Sequence, residues 1–307
     1  MKKIALLFLL SCFVVQAQKK PVIQKSEIVR IETELASDKM EGRKIFSTGI
    51  DSASAFIEKE FTKIGLQYYG DLKSYRQDFK AKGKAANNVI GMLPGKSKPN
   101  EYVVFSAHYD HLGMDSSGDD KVYNGANDDA SGTTAVIALA KYFKELNSNE
   151  RTIIFVAFTG EEVGGYGSKY FSKNINADDV VAMFNIEMIG TESKWNKNSA
   201  YITGFEKSDF GTILQKNLKG SNFNFYEDPY TDQHLFYRSD NATLAALGVP
   251  AHTISTSKMD SEANYHQLSD EVSTLDLDNM TEIIKSIAIS SQSIISGKDT
   301  PSRVTKL

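Results

Sequence analysis

Tyr102-Val103-Val104-Phe105 runs directly into Ser106-Ala107-His108-Tyr109-Asp110-His111-Leu112-Gly113. A short β-branched and aromatic run of this kind predicts a buried strand, with His108 and Asp110 where the strand opens into a loop. In open α/β sheets that edge is where ligands bind. With one residue between them, the imidazole can face a metal while the carboxylate helps to orient it. On its own the pattern fits a hydrogen-bonded loop pair as well as a metal site, and the choice falls to the acidic clusters further along.

Those clusters recur at the ends of the next apolar runs. Asn124-Gly125-Ala126-Asn127-Asp128-Asp129-Ala130-Ser131-Gly132 leads into Ser131 to Leu146, the clearest helical pattern in the chain. Two adjacent carboxylates could cap that helix, yet one cap needs only one of them. The run Thr152 to Phe158 ends in Thr159-Gly160-Glu161-Glu162, and Val180 to Ile186 ends in Glu187-Met188-Ile189-Gly190. Acid at three successive strand ends, in apolar surroundings, is costly without cations, so a divalent metal is the simplest account. Asn264-Tyr265-His266 adds a second imidazole to an oxygen-rich set.

Strand, helix, strand, helix, strand in this rhythm predicts parallel βαβ units and an α/β fold. Ser26 to Ala36 and Ser47 to Ile64 read as amphipathic helices, separated by a polar turn from Ser37 to Arg43. Tyr75 to Phe79 and Asn88 to Met92 read as an antiparallel pair, Ala251 to Ile254 as a last core strand, and Asp276 to Ile295 as a long closing helix. From 190 to 260 the pattern loosens, with possible strands at Ala200 to Thr203 and Phe223 to Tyr226, and a possible helix from Asp209 to Leu218. Glu227 to Asp240 reads as a lid or a cleft wall, and Gly164-Gly165-Tyr166-Gly167 as a tight turn.

The chain opens Met1-Lys2-Lys3, runs apolar from Ile4 to Val15 and reaches Ala17, the pattern of a secretory signal peptide cut after Ala17. The apolar run is too short to span a membrane. The expectation is an exported protein, periplasmic or secreted, with residues 1–17 as signal and 18–307 as a single domain. Leu10-Ser11-Cys12 offers lipid anchoring at Cys12 as the alternative. Cys12 is the only cysteine, so disulfides are excluded from the mature chain and His and carboxylates must hold any metal. A net charge of −4, without runs of Lys or Arg, argues against nucleic acid or anionic membrane as the main partner.

Taken together, His108-Tyr109-Asp110-His111, Asn127-Asp128-Asp129-Ala130-Ser131-Gly132, Gly160-Glu161-Glu162 and Tyr265-His266 resemble the motifs of the M28 zinc metallopeptidases, in the same order. The resemblance extends over about Ser26 to Ile295. It implies a three-layer α/β/α sandwich around a mixed, mainly parallel sheet, two Zn2+ ions, and release of N-terminal residues from peptide or protein substrates. By matching position, Asp128 would bridge both metals, with His108 and Glu187 on one and Glu162 and His266 on the other. Glu161 would be the general base, Asp110 would orient His108, Asp129 would support Asp128 across a cis peptide, and Tyr265 would stabilise the oxyanion. Glu187 departs from the family's more usual Asp, and Gly165-Tyr166 from a commoner apolar pair. The alternatives are a single-zinc acyltransferase similar to glutaminyl cyclase, and a non-catalytic binding module on the same fold.

Overall fold

The computed structural model describes residues 20–307; the expected signal segment and Cys12 lie outside the described residues. Two helices come first, α1 (Lys25–Leu35) and α2 (Thr48–Ile64). The Ser47 hydroxyl caps α2 by accepting from Ile50 N–H, and Gly65, in the left-handed region, ends it. Strands β1 (Gln67–Tyr68), β2 (Arg76–Ala81), β3 (Lys84–Leu93) and β4 (Lys98–His108) follow, then the short pair β5 (Gly113–Met114) and β6 (Val122–Tyr123). Next in order are α3 (Ser131–Leu146), β7 (Arg151–Phe158), α4 (Tyr166–Lys173) and β8 (Val180–Ile186). The chain continues with β9 (Ser199–Ile202), α5 (Phe210–Asn217), β10 (Asn224–Glu227) and α6 (Asn241–Ala245). It closes with β11 (Ala251–Ser255), α7 (Leu277–Ser290) and α8 (Gln292–Ile295).

Nine of these strands form one mixed sheet in the order β1-β3-β7-β4-β8-β11-β9-β10, with β2 beside β1 along the edge of β3. The four central strands, β7, β4, β8 and β11, are parallel; β3 and β9 flank them antiparallel. Alternation along each central strand separates two cores. Val103, Phe105 and Ala107 of β4, with Phe155 and Phe184, face α1, α2, α3, α5 and α7. Val104, Ile154, Val156 and Met183 face the other way, against Phe171 of α4 and Leu244 of α6. Phe105 anchors the first core, stacked on Phe143, Phe155 and Phe184. Burial of each such side chain stabilises the fold by about 1.5–3 kcal/mol.

Three local readings of the sequence change. The closing helix breaks at Ser291 into α7 and α8. Gly165, at φ 65°, opens helix α4 where a simple turn was expected. The polar stretch from Ser37 to Arg43 is not a solvated turn: it coils as a 3-10 turn that buries Met40, Gly42 and Arg43. Arg43 is fully buried and spends its donors on main-chain carbonyls: Leu35 and Asn124 (2.7 and 2.6 Å), Gly125 (2.8 Å) and Tyr109 (2.9 Å). It thereby ties the His108 loop and the Asn124–Asp129 loop to the helices that precede the sheet.

One buried histidine makes stability depend on pH. His252 of β11 stacks on Phe210 (4.8 Å) and beside Phe236 (5.4 Å), donates from Nδ1 to the Thr203 carbonyl (2.8 Å) and accepts at Nε2 from Ser208 Oγ (2.7 Å). Burial lowers its pKa from 6.5 to about 4, with Glu206 and Lys207 the neighbouring charges. Below about 6.5 the unfolded chain binds a proton that the folded chain refuses, so stability falls as pH drops from that value to about 4. The shift corresponds to about 3 kcal/mol. Denaturant titrations at pH 7 and pH 4.5 should show the parent losing about 2 to 3 kcal/mol more than His252→Phe; equal losses would refute this source of the pH dependence.

Candidate metal centre

The C-terminal ends of the four parallel strands lie along one edge of the sheet, where unpaired main-chain groups and loops can gather polar side chains. His108 is the last residue of β4, Glu161 and Glu162 follow β7, Glu187 follows β8, and the chain beyond β11 carries Tyr265 and His266. Asp128 enters from the loop ahead of α3, joined to Asp129 by a cis peptide bond.

Asp129 holds these loops together. Its Oδ1 accepts from Met188 N–H and Gly132 N–H, both at 3.0 Å, and its Oδ2 from His108 N–H at 3.3 Å. One buried carboxylate thus joins the ends of β4 and β8 to the start of α3. The approach requires Gly132, where a Cβ would fall 2.2 Å from the Ile186 carbonyl oxygen and 2.5 Å from the Asp129 carboxylate. Asn127 adds an acceptor for Gly190 N–H at 2.8 Å. Asp270, four residues past His266, accepts from Asn127 N–H (2.8 Å) and Asp128 N–H (3.0 Å), which couples the two loops that bring Asp128 and His266 together.

The two oxygens of Asp128 point to different partners. Oδ1 lies 3.2 Å from His108 Nε2; Oδ2 lies 3.2 Å from His266 Nε2, which is itself 3.1 Å from Glu162 Oε2. His108, Asp128 and Glu162 each offer one donor atom, all within 4.8 Å of one another. His266 Nε2 is buried and makes no hydrogen bond of acceptable geometry despite these short approaches. A tetrahedral ion with bonds of about 2.0–2.1 Å has donor–donor edges of about 3.3 Å, so the donor set fits a divalent metal. Glu187 sits differently. It lines the same cleft, but its Oε2 is bonded by Ser239 Oγ and reached by Asn185 Nδ2 at 3.4 Å.

The electrostatics follow from burial and crowding. Burial pushes the Asp128 carboxyl upward, but His108 and His266 bring it well below the usual range. Hydrogen bonding to Asp128 and Glu162 raises His266 to about 10. Burial raises Glu187 and Asp110 each to about 7, and lifts Glu161 well above an ordinary glutamate, reinforced by Glu187, Asp240 and Asp110 nearby.

Among the described residues no donor is bonded to the Glu161 carboxylate, and its N–H donates to Asp110 Oδ1 at 3.1 Å. Asp110 meets His108 mainly through its main chain: Nδ1 lies 3.0 Å from the Asp110 carbonyl oxygen and 3.8 Å from the carboxylate. Tyr265 stacks on His266, ring centroids 3.9 Å apart, and faces the same cleft.

Two side chains without an assigned role also belong to the centre. His111, fully buried, places Nδ1 2.9 Å from Glu162 Oε1 and 3.8 Å from Asp128 Oδ2. Its spacing of three residues from His108 in the opening motif was the available signal. Asp240 is buried with both oxygens lacking hydrogen-bond partners, and burial raises its pKa; the sequence offers no pattern that singles it out.

Asp270 bonds main-chain N–H groups and none of the candidate metal-donor atoms, which makes it a clean probe of the scaffold. Asp270→Asn replaces one acceptor with an amide facing a main-chain N–H, and is expected to weaken metal binding about 10–100-fold in a folded protein. Competition against a chelating dye measures it; unchanged affinity would show that the coupling is not needed.

The family model described as Peptidase family M28 matches residues 88–290. The "Probable zinc metalloprotease" of Pyrenophora teres f. teres is 30% identical over 154 residues, covering 47% of this chain and 32% of that protein. Aminopeptidase Y of Saccharomyces cerevisiae is 26% identical over 245 residues, covering 73% and 41%. The chain therefore spans about a third to two fifths of the length of these relatives. Among solved structures, a zinc aminopeptidase of Bacillus subtilis superposes with a TM-score of 0.73 at 13% identity, covering 92% of this chain and 97% of that one. The glutaminyl cyclase of Bacteroides thetaiotaomicron reaches 0.68 at 16% identity, covering 92% and 100%. At these identities the superpositions speak for a shared α/β fold alone.

Proposed function

The chain belongs to peptidase family M28, and from that premise we propose that it is an exported metallopeptidase that holds two zinc ions and removes N-terminal residues from peptides. The observation that carries the reading is the split of Asp128, one oxygen toward His108 and the other toward His266 and Glu162, beside a Glu161 carboxylate bonded to none of them. His108, Asp128 and Glu187 would hold one ion, and Asp128, Glu162 and His266 the other. Zinc in such a site supplies Lewis acidity and brings the pKa of water to about 7.

The remaining work falls to the chain itself. Glu161 takes a proton from the attacking water and returns it to the leaving amine. Tyr265, which burial keeps protonated, donates to the carbonyl oxygen as negative charge develops there. Glu161, the cleft carboxylate outside both donor sets, leaves negative charge beside the centre that suits the ammonium of a free peptide N-terminus. Met188, Tyr201, Leu235 and Met259 give it an apolar wall, which suits an apolar first side chain. Among the described residues no helix is long and apolar enough to cross a membrane. The basic start and the apolar run before Ala17 support export.

Purified protein assayed on aminoacyl-arylamides and unblocked peptides, with metal analysis of the same sample, tests the reading. The expected result is release of the N-terminal residue and about two zinc ions per chain. One zinc per chain, with cyclisation of N-terminal glutamine and no release, would replace it with acyl transfer. Mass analysis of the exported chain should find its first residue at Gln18; an intact Met1 would remove export.

A further inference from the structure

The same cleft carries, besides its four carboxylates, one side chain of fixed positive charge. Arg238 lines it together with Leu235, Ser239 and Met259. The residue is exposed, and among the described residues its guanidinium has no carboxylate partner; its hydrogen bond goes to the Gln233 amide oxygen at 3.3 Å. Arg30, Arg76 and Arg151 are each paired with a carboxylate, Glu60, Glu58 and Glu101, and Arg43 spends its donors on main-chain carbonyls; Arg238 has neither kind of partner for its side chain among the described residues.

The main chain at Arg238 is held close to the centre. It follows the 3-10 turn Leu235–Tyr237, donates its N–H to the Leu235 carbonyl at 3.0 Å, and precedes Ser239, whose hydroxyl bonds Glu187. Arg238 therefore lines the cleft that holds Glu161, one residue along the chain from the Ser239 hydroxyl bonded to Glu187. A guanidinium presents a planar fork of donors that matches a carboxylate.

We propose that Arg238 is a specificity-determining residue that receives a carboxylate borne by the residue after the scissile bond. That carboxylate is either the free C-terminus of a dipeptide or the side chain of Asp or Glu at that position. The inference rests on the peptidase reading above. It adds to the acidic end of the cleft, which takes the ammonium, a basic point that takes the opposite charge, and so makes short or acidic peptides the preferred substrates.

The test compares Leu-Gly, Leu-Gly-amide and Leu-Asp-amide as substrates of the zinc-loaded protein and of Arg238→Met. For the parent, kcat/KM on at least one carboxylate-bearing substrate should exceed that on Leu-Gly-amide about tenfold, mainly through KM. In Arg238→Met that ratio should fall toward one. Preference for Leu-Gly alone assigns the C-terminal carboxylate, and preference for Leu-Asp-amide assigns the side chain. Calorimetry with a reduced-bond analogue of Leu-Gly, which cannot be hydrolysed, should show the same loss in binding when the C-terminal carboxylate is the group received. Cleavage of all three substrates without preference, or a preference that survives in Arg238→Met, overturns the proposal and leaves the peptidase reading intact. No cleavage of any substrate by the parent overturns the peptidase reading, and the proposal with it.

Discussion

Glu161→Gln should retain the parent's zinc content and lower kcat by about 10² to 10⁴-fold. The substitution keeps size and shape, and the Asp110 carboxylate bonds the main-chain N–H of residue 161, not its side chain, so the loop has no reason to move. What disappears is the one carboxylate of the cleft that, among the described residues, has neither a histidine nor a hydrogen-bond donor against it and can exchange a proton with water. Elemental analysis and turnover of an aminoacyl-arylamide on the same sample separate the two effects. Loss of zinc would make Glu161 part of the donor set, and retained turnover would remove it from the base role.

Asp128→Asn should instead lose zinc, because one carboxylate serves both sides of the centre. Its two oxygens lie 3.2 Å from His108 Nε2 and from His266 Nε2, so an amide presents one poor acceptor and one N–H where two acceptors are needed. After dialysis the variant is expected to hold less than about a tenth of the parent's metal and to lose activity in proportion, an effect larger than any change at Asp270. Circular dichroism of the metal-free variant checks that the fold persists. Retention of one ion per chain would show that His108 with Glu187, or Glu162 with His266, suffices without it.

Much of the fold is legible in the sequence because buried parallel strands leave continuous apolar runs. Tyr102 to Phe105, Thr152 to Phe158 and Val180 to Ile186 fall within strands β4, β7 and β8, and Ser131 to Leu146 matches α3 residue for residue. The acids beyond those runs are visible for the same reason, since charge at the end of an apolar run stands out. Arg43 is different. Its partners are carbonyl groups up to 82 residues away, and carbonyls leave no mark in a pattern of side chains, so a buried arginine reads as one more polar residue in a turn. Asp110 illustrates a related limit: His108 meets its main chain more closely than its carboxylate, a distinction that only coordinates make. The α4 helix escapes notice because Gly164 and Gly165 suggest a break, although the second of them starts the helix.

The guanidinium of Arg43 also separates the inventory of the centre from its assembly. The span shared with the family runs from 88 to 290 and includes every candidate donor, yet Arg43 lies ahead of it. A fragment trimmed to that span would keep all five candidate metal ligands and leave the carbonyls of Tyr109, Asn124 and Gly125 without their shared clamp. The donor edge of this molecule is therefore a joint product of two regions, one supplying the candidate ligands and the other the grip.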